Sequence, residues 1–282
     1  MIETHFGLKR RPFFLHPEDA PYAATGFEQC RMTILEALAS GEGLVVVAGP
    51  PGVGKSLLAR VIAQQVDAQV AYVNTSVNNR AGLLQAILYD LGLPHECRPE
   101  RELRLTLVDH LLSEFAAGRR TLFLIDEAHC LGVELLEELR TLLNLEGALQ
   151  MVLFGQPDLL DTLQRPELVS LRQRVAHCLT LEALCAEEAG DYVLHHLRQA
   201  GAGANVIGSE ALQLLVQACQ GVPRLLNQAM TRALRLTAQA NAHEVEVEVL
   251  LDVLNSLGLN AESANPPVAE PTYRLFAPAH RA

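Results

Sequence analysis

Tryptophan is absent from the 282 residues, and aromatic residues make up only 5% of them. The core must therefore be aliphatic, drawn from the Leu, Val, Ile and Ala of a chain that is 49% hydrophobic. That composition suits helices packed on a parallel sheet. Long apolar runs are also missing. Stretches such as Leu44 to Ala48 fall far short of the ~20 residues needed to span a bilayer. The N-terminus carries Glu3 and has no signal-peptide pattern. The expectation is a soluble, cytoplasmic protein with no integral membrane segment. Positive charge is in short supply, with 22 Lys and Arg against 33 Asp and Glu and a net charge of −11. So acidic a chain is ill suited to coating nucleic acid, although a local basic patch is compatible with it. The six cysteines, Cys30, Cys97, Cys130, Cys178, Cys185 and Cys219, include no CxxC pair. Neither a zinc site nor a redox pair is signalled, and reduced thiols packed in the core are expected.

Residues 1–27 are rich in Pro, aromatic and basic residues and lack a helical pattern. They read as an N-terminal arm anchored by Phe6, Phe13, Phe14 and Tyr22. Residues 28–40 read as a helix, with Met32, Leu35 and Leu38 at helical spacing. Short apolar runs at 44–48, 70–74, 121–125, 149–154 and 175–181 read as strands, and helical patterns separate the first four. Strands alternating with helices predict an open parallel sheet covered on both faces. After residue 182 the strands stop, and helices are expected over 186–200, 209–219, 223–241 and 245–257. The division expected is therefore an arm at 1–27, an αβα domain at 28–181, a helical lid at 182–258 and a flexible Pro-rich tail at 259–282.

Gly49, Pro50, Pro51, Gly52, Val53, Gly54, Lys55 and Ser56 satisfy GxxxxGK[ST], with a buried strand before and a helix after. Glycines let backbone N–H groups turn inward around phosphates, and the helix start adds unpaired N–H groups and a partial positive charge. Lys55 supplies a full charge for the β- and γ-phosphates. Ser56 offers a hydroxyl ligand for Mg2+, and Leu57 continues the binding segment. Leu122 to Ile125 then carry Asp126 and Glu127 to the carboxyl end of a buried strand, where parallel sheets bind ligands. Asp126 is expected to orient Mg2+, and Glu127 to take a proton from the attacking water. Asn74 ends the second strand, where its amide could hold Glu127 away until a ligand arrives. Gln156 follows the fourth strand and could reach the γ-phosphate or the water. The site predicted is for ATP with Mg2+.

The sequence Asp126-Glu127-Ala128-His129, the phrases VLFGQPDL at 152–159, LRQRV at 171–175 and GVPRLLN at 221–227, and the opening HFGLKRRPF together resemble AAA+ ATPases. Within them the chain looks most like the ExeA/general secretion pathway protein A group, over roughly residues 3–257. The resemblance implies a P-loop αβα core with a helical lid, ATP hydrolysis, and a homo-oligomer. It implies that Arg174, with Arg172 in reserve, acts in trans as an arginine finger, and that Arg224 reports nucleotide state to the lid. A planar, always-charged guanidinium suits charge growing on phosphoryl oxygens. The partner implied is a protein of a secretion or pilus apparatus, met at the cytoplasmic side and peripheral to the inner membrane. Members of the group often continue into a membrane helix and a peptidoglycan-binding domain, whereas this sequence shows only a Pro-rich stretch after its last helix. Membrane coupling would then fall to a separate partner. The alternative is a DNA-binding regulator of transposition, for which Arg98, Arg101 and Arg104 are basic candidates.

Overall fold

The computed structural model describes residues 2–14, 21–74, 77–145, 147–203 and 206–259. The tail expected at 259–282 lies outside them beyond its first residue. In chain order the elements are α1 (Ile2–Phe6), α2 (Thr25–Ala39), β1 (Leu44–Ala48), α3 (Lys55–Gln65), β2 (Gln69–Val73), α4 (Arg80–Asp90), α5 (Glu100–Ala116), β3 (Thr121–Ile125), α6 (Val133–Leu142), β4 (Leu149–Gly155), α7 (Asp158–Leu163), α8 (Val169–Arg172), β5 (Val175–Thr180), α9 (Ala186–Gln199), α10 (Ser209–Cys219), α11 (Pro223–Gln239) and α12 (Val247–Ser256). The chain divides into two compact units. One is Thr25–Glu182; the other joins the residues before Thr25 to those after Glu182.

The first unit is built on a five-stranded sheet of order β2-β3-β4-β1-β5, parallel at every pairing. β1, β3 and β4 are buried along their whole length. Such strands read as unbroken apolar runs because helices cover both of their faces. The edge strands β2 and β5 are only partly buried. Their sequences accordingly admit Gln69, Tyr72, His177 and Thr180. α5 presents Leu103, Leu107 and Leu111 inward at four-residue intervals, the spacing of one helix face. α2 buries Phe27, Cys30, Ile34, Ala37 and Leu38. Met32, assigned by spacing to its apolar stripe, is instead 47% exposed, because the buried face runs through 30, 34 and 37.

The second unit is helical. α11 turns Leu226, Ala229, Met230, Ala233, Leu234 and Thr237 inward, a 3.6-residue period. They share a core with Val193 and Leu197 of α9, Leu215 and Cys219 of α10, and Leu250, Val253 and Leu254 of α12. Residues 2–14 belong to this unit, and they correct the reading of the arm as non-helical. α1 is a short helix whose Ile2 and Phe6 pack on that core together with Phe13. It is tied down by the Lys9 amide donating to the Ala200 carbonyl at 2.8 Å and by His5 Nε2, 2.6 Å from the Ala242 carbonyl oxygen. Tyr22 meets Tyr192 edge-on, with centroids 5.6 Å apart. Phe14, expected as an anchor, leaves 59% of its surface exposed. The cysteines also depart from expectation. Cys30 and Cys219 are buried, but Cys97, Cys130 and Cys185 are exposed, and all six are free thiols.

Candidate nucleotide site

The loop between β1 and α3 is shaped by backbone demands that few side chains meet. A Cβ on Gly49 would collide with the carbonyl oxygen of Leu181, which is held there because the Leu181 amide donates to the Ala48 carbonyl at 2.8 Å. Gly54 has φ 114 and ψ 14 and stands at the head of α3 with no side-chain cap. A left-handed backbone suits glycine, and an uncapped helix start leaves N–H groups for an anion. Lys55, only 5% exposed, donates from Nζ to the Gly49 carbonyl at 2.7 Å and the Pro50 carbonyl at 2.9 Å. The ammonium is thus folded back onto the loop it would leave for phosphate. Ser56, half-buried, follows in the first turn of the helix.

Strand register fixes where the carboxylates lie. β4 sits between β1 and β3, with Ala48 opposite Gly155 and Ile125 opposite Leu153. The phosphate loop and the Asp126-Glu127 pair therefore leave the same end of the sheet, two strand spacings or about 10 Å apart. Asp126 is 6% exposed. Its Oδ1 accepts from the Glu127 amide at 2.9 Å, and its Oδ2 accepts from the Tyr72 hydroxyl at 2.9 Å. Among the described residues no Lys or Arg pairs with it. Burial, then the Asp126 charge, push the Tyr72 hydroxyl up to about 12, so it is a donor at neutral pH. Glu127 has φ 52 and ψ 35, a left-handed conformation that costs a non-glycine residue on the order of 1 kcal/mol. Its carboxylate is 51% exposed, with Oε2 3.5 Å from His129 Nδ1. Among the described residues that nitrogen is buried without a hydrogen-bond partner, so the approach to Glu127 is not a hydrogen bond. Cys130 Sγ lies 3.6 Å from His129 Nε2.

Asn74 follows β2, exposed, and among the described residues no hydrogen bond joins it to Glu127. Gln156 follows β4 at the same sheet end, its carbonyl accepting from the Leu159 amide at 2.9 Å. Arg174 stands elsewhere. It directly precedes β5, whose Val175 pairs with Leu44, so it lies at the amino end of the sheet. The length of a five-residue strand, about 17 Å, separates it from its own phosphate loop. It donates to the Leu143 carbonyl at 3.0 Å and to Asn144 Oδ1 at 2.6 Å, and it lines a cavity of about 470 Å3 with Arg119, Arg120 and Gln150. Arg172 donates over a long 3.5 Å to the Gln164 carbonyl. Arg224 is exposed in the first turn of α11, in the helical unit. Of the basic candidates for nucleic acid, Arg104 is engaged with Glu138 at 2.8 Å, while Arg98 and Arg101 are exposed.

The donors suit Mg-ATP. The hard oxygens of Ser56 and Asp126 would hold Mg2+, and match the few protein ligands it takes beside phosphate oxygens and water. The glycine cradle and the uncapped helix suit the phosphates. Tyr72 is the residue that sequence reasoning missed. The alternation of β2 was the available signal, since residue 72 pairs with Leu124 and so faces the same side as Asp126.

Comparison with known proteins agrees with this geometry. The AAA domain family profile matches residues 37–163. General secretion pathway protein A of Aeromonas hydrophila is 34% identical over 254 residues, 87% of this chain and 46% of that protein. The ATP-dependent target DNA activator B of Escherichia phage Mu is 26% identical over 253 residues, 87% of this chain and 76% of its own length. Among solved structures, Cdc6p from Pyrobaculum aerophilum superposes with a TM-score of 0.70 at 16% identity, covering 90% of this chain and 70% of that one. The chain thus spans less than half of the secretion protein it matches. Residues 37–163 are therefore an AAA domain, on the phosphate loop and parallel sheet of a P-loop NTPase fold, and the chain is similar to general secretion pathway protein A.

Proposed function

We propose that this protein binds ATP with Mg2+ and hydrolyses it, and that turnover drives assembly or remodelling of a secretion or pilus-type apparatus. The observation that carries the ATPase reading is the buried Lys55 in a glycine cradle, two strands from the buried carboxylate of Asp126, which no Lys or Arg pairs with among the described residues. Lys55 and the α3 amides hold the β- and γ-phosphates. Ser56 and Asp126 hold Mg2+, which when bound neutralises charge on the phosphate oxygens. Glu127 accepts the proton of a water whose oxygen bonds to the γ-phosphorus as the bond to the β-bridging oxygen breaks and ADP leaves. Gln156 and Asn74 stand at the same sheet end to orient that water and Glu127. Arg174 is too far to serve its own loop, so it serves a neighbouring copy and makes full turnover depend on homo-oligomer assembly. Arg224 reports nucleotide state from the helical lid.

The secretion role rests on the likeness to general secretion pathway protein A. Among the described residues no helix is long and apolar enough to cross a membrane; on this reading the protein works on the cytoplasmic side, peripheral to the inner membrane. The likeness to the phage target DNA activator favours a second reading, an ATP-dependent DNA-binding regulator of transposition. Duplex DNA would then bind only with ATP, with affinity falling steeply with salt.

Single-turnover hydrolysis of labelled ATP tests the enzyme. Glu127→Gln is expected to retain ATP with turnover lowered 100-fold or more, roughly the contribution of a general base. Lys55→Ala is expected to lose binding. Hydrolysis by Glu127→Gln at the parent rate would remove Glu127 from its role.

A further inference from the structure

Asp126 is held by two hydrogen bonds, one to each carboxylate oxygen. The Glu127 amide fixes Oδ1 from within the same turn. The Tyr72 hydroxyl fixes Oδ2 from the next strand, at 2.9 Å. Among the described residues β2 lies at the edge of the sheet and pairs with β3 alone, and this bond links a β2 side chain to the carboxylate across the strands. β2 is itself anchored on its outer side, where Asp90 at the end of α4 accepts from the Tyr72 backbone amide. Tyr72 is thus tied at both its backbone and its hydroxyl, on the face that Asp126 shares.

A carboxylate oxygen has two acceptor sites, so one on each oxygen of Asp126 stays open after these bonds. The aim of those open sites depends on the orientation in which these two bonds hold the carboxylate. Outer-shell donors to a ligating carboxylate tune affinity by fixing its orientation.

We propose that Tyr72 is a positioning residue for the metal-binding carboxylate, holding Asp126 in the orientation from which it meets Mg2+ or its bound water. The inference rests on the assignment of Asp126 proposed above. Tyr72 acts through Asp126 and touches neither nucleotide nor metal. Its loss should therefore weaken metal binding and leave the metal-independent part of nucleotide binding intact.

The test uses the full chain and two titrations by equilibrium fluorescence. The first measures affinity for a labelled ATP analogue in excess EDTA. The second adds Mg2+ to the nucleotide-loaded protein and reads the half-saturating concentration. For Tyr72→Phe, which keeps the ring and removes the hydroxyl, the EDTA affinity should match wild type, and the Mg2+ half-point should rise roughly tenfold. Asp126→Asn should raise it at least as far, and the double variant should show no further loss. An unchanged Mg2+ half-point in Tyr72→Phe, with Asp126→Asn impaired, overturns the role of Tyr72 alone. An unchanged half-point in both overturns the assignment of Asp126 as well. A loss in Tyr72→Phe that appears equally in EDTA marks a structural contribution only and also overturns the proposal.

Discussion

At the scale of single residues, the phosphate loop is constrained more by backbone than by chemistry. Gly49 is required because the Leu181 carbonyl occupies the space a methyl group would need, and both partners are main chain and cannot swing aside. Gly49→Ala is expected to lose about 1–3 kcal/mol of stability, the usual cost of overpacking. Urea unfolding followed by circular dichroism measures it, and a midpoint equal to the parent's would show that the loop has slack. The places of Lys55 and Ser56 at the start of α3, and of Asp126 and Glu127 after β3, were legible in the sequence because each belongs to a contiguous string whose flanks announce its strand or helix. Tyr72 was not, because its partner is 54 residues away and the link depends on register. A string of residues does not state which strands are neighbours. The absence of an Asn74 bond to Glu127 has a related cause. Both follow strand ends, but Glu127 turns into a left-handed conformation and leaves its carboxylate half in solvent.

At the scale of elements, strands and long helices were readable, and short helices were not. The alternation of buried runs with helical periods gave β1 to β5, and α2 and α9 to α12, to within a few residues. α1, α7 and α8 span four to six residues each, less than two turns, so no period can be established. α5 was readable as a helix over 101–117, but the amphipathic pattern expected of it was not there. Beyond its buried Leu103, Leu107 and Leu111 it exposes Leu105, Leu112 and Phe115, so its apolar residues surround the axis and give no moment. Helix ends carry their own signals. α4 begins after Asn79, whose Oδ1 accepts from the Gly82 amide at 2.8 Å. Asn79→Ala should cost about 1 kcal/mol by removing that cap. Chemical denaturation should show the loss, and it should be nearly recovered in Asn79→Ser. Equal stability of all three proteins would mean that the start of α4 is held by packing instead.

At the scale of the molecule, the chain folds as two units, and burial within them sorts its thiols. Cys30 and Cys219 are buried, and burial pushes both thiols up, Cys219 to about 12. Cys178 is half-buried and raised for the same reason. The thiolate is the reacting species. A disulfide reagent at pH 8 is therefore expected to label Cys97, Cys130 and Cys185 quickly, Cys178 slowly, and Cys30 and Cys219 only after denaturation. Peptide mapping reads the order, and labelling of all six at one rate would contradict the packing of both cores. Composition announced the aliphatic core, since a chain without Trp has little else to bury. It could not say which cysteines join that core, because a small apolar side chain satisfies a surface turn as readily as an interior.

The central claim is that two separate segments, the loop from Gly49 to Ser56 and the carboxylates at the end of β3, form one site for a triphosphate and its metal. Its most direct test is a crystal structure of the protein with a non-hydrolysable ATP analogue and Mn2+ in place of Mg2+, in which the anomalous signal locates the metal. The metal should lie between the Ser56 hydroxyl and the Asp126 carboxylate, with Lys55 released from the Gly49 and Pro50 carbonyls onto phosphate oxygens. Nucleotide bound elsewhere, or metal distant from both segments with Lys55 still on those carbonyls, would contradict it.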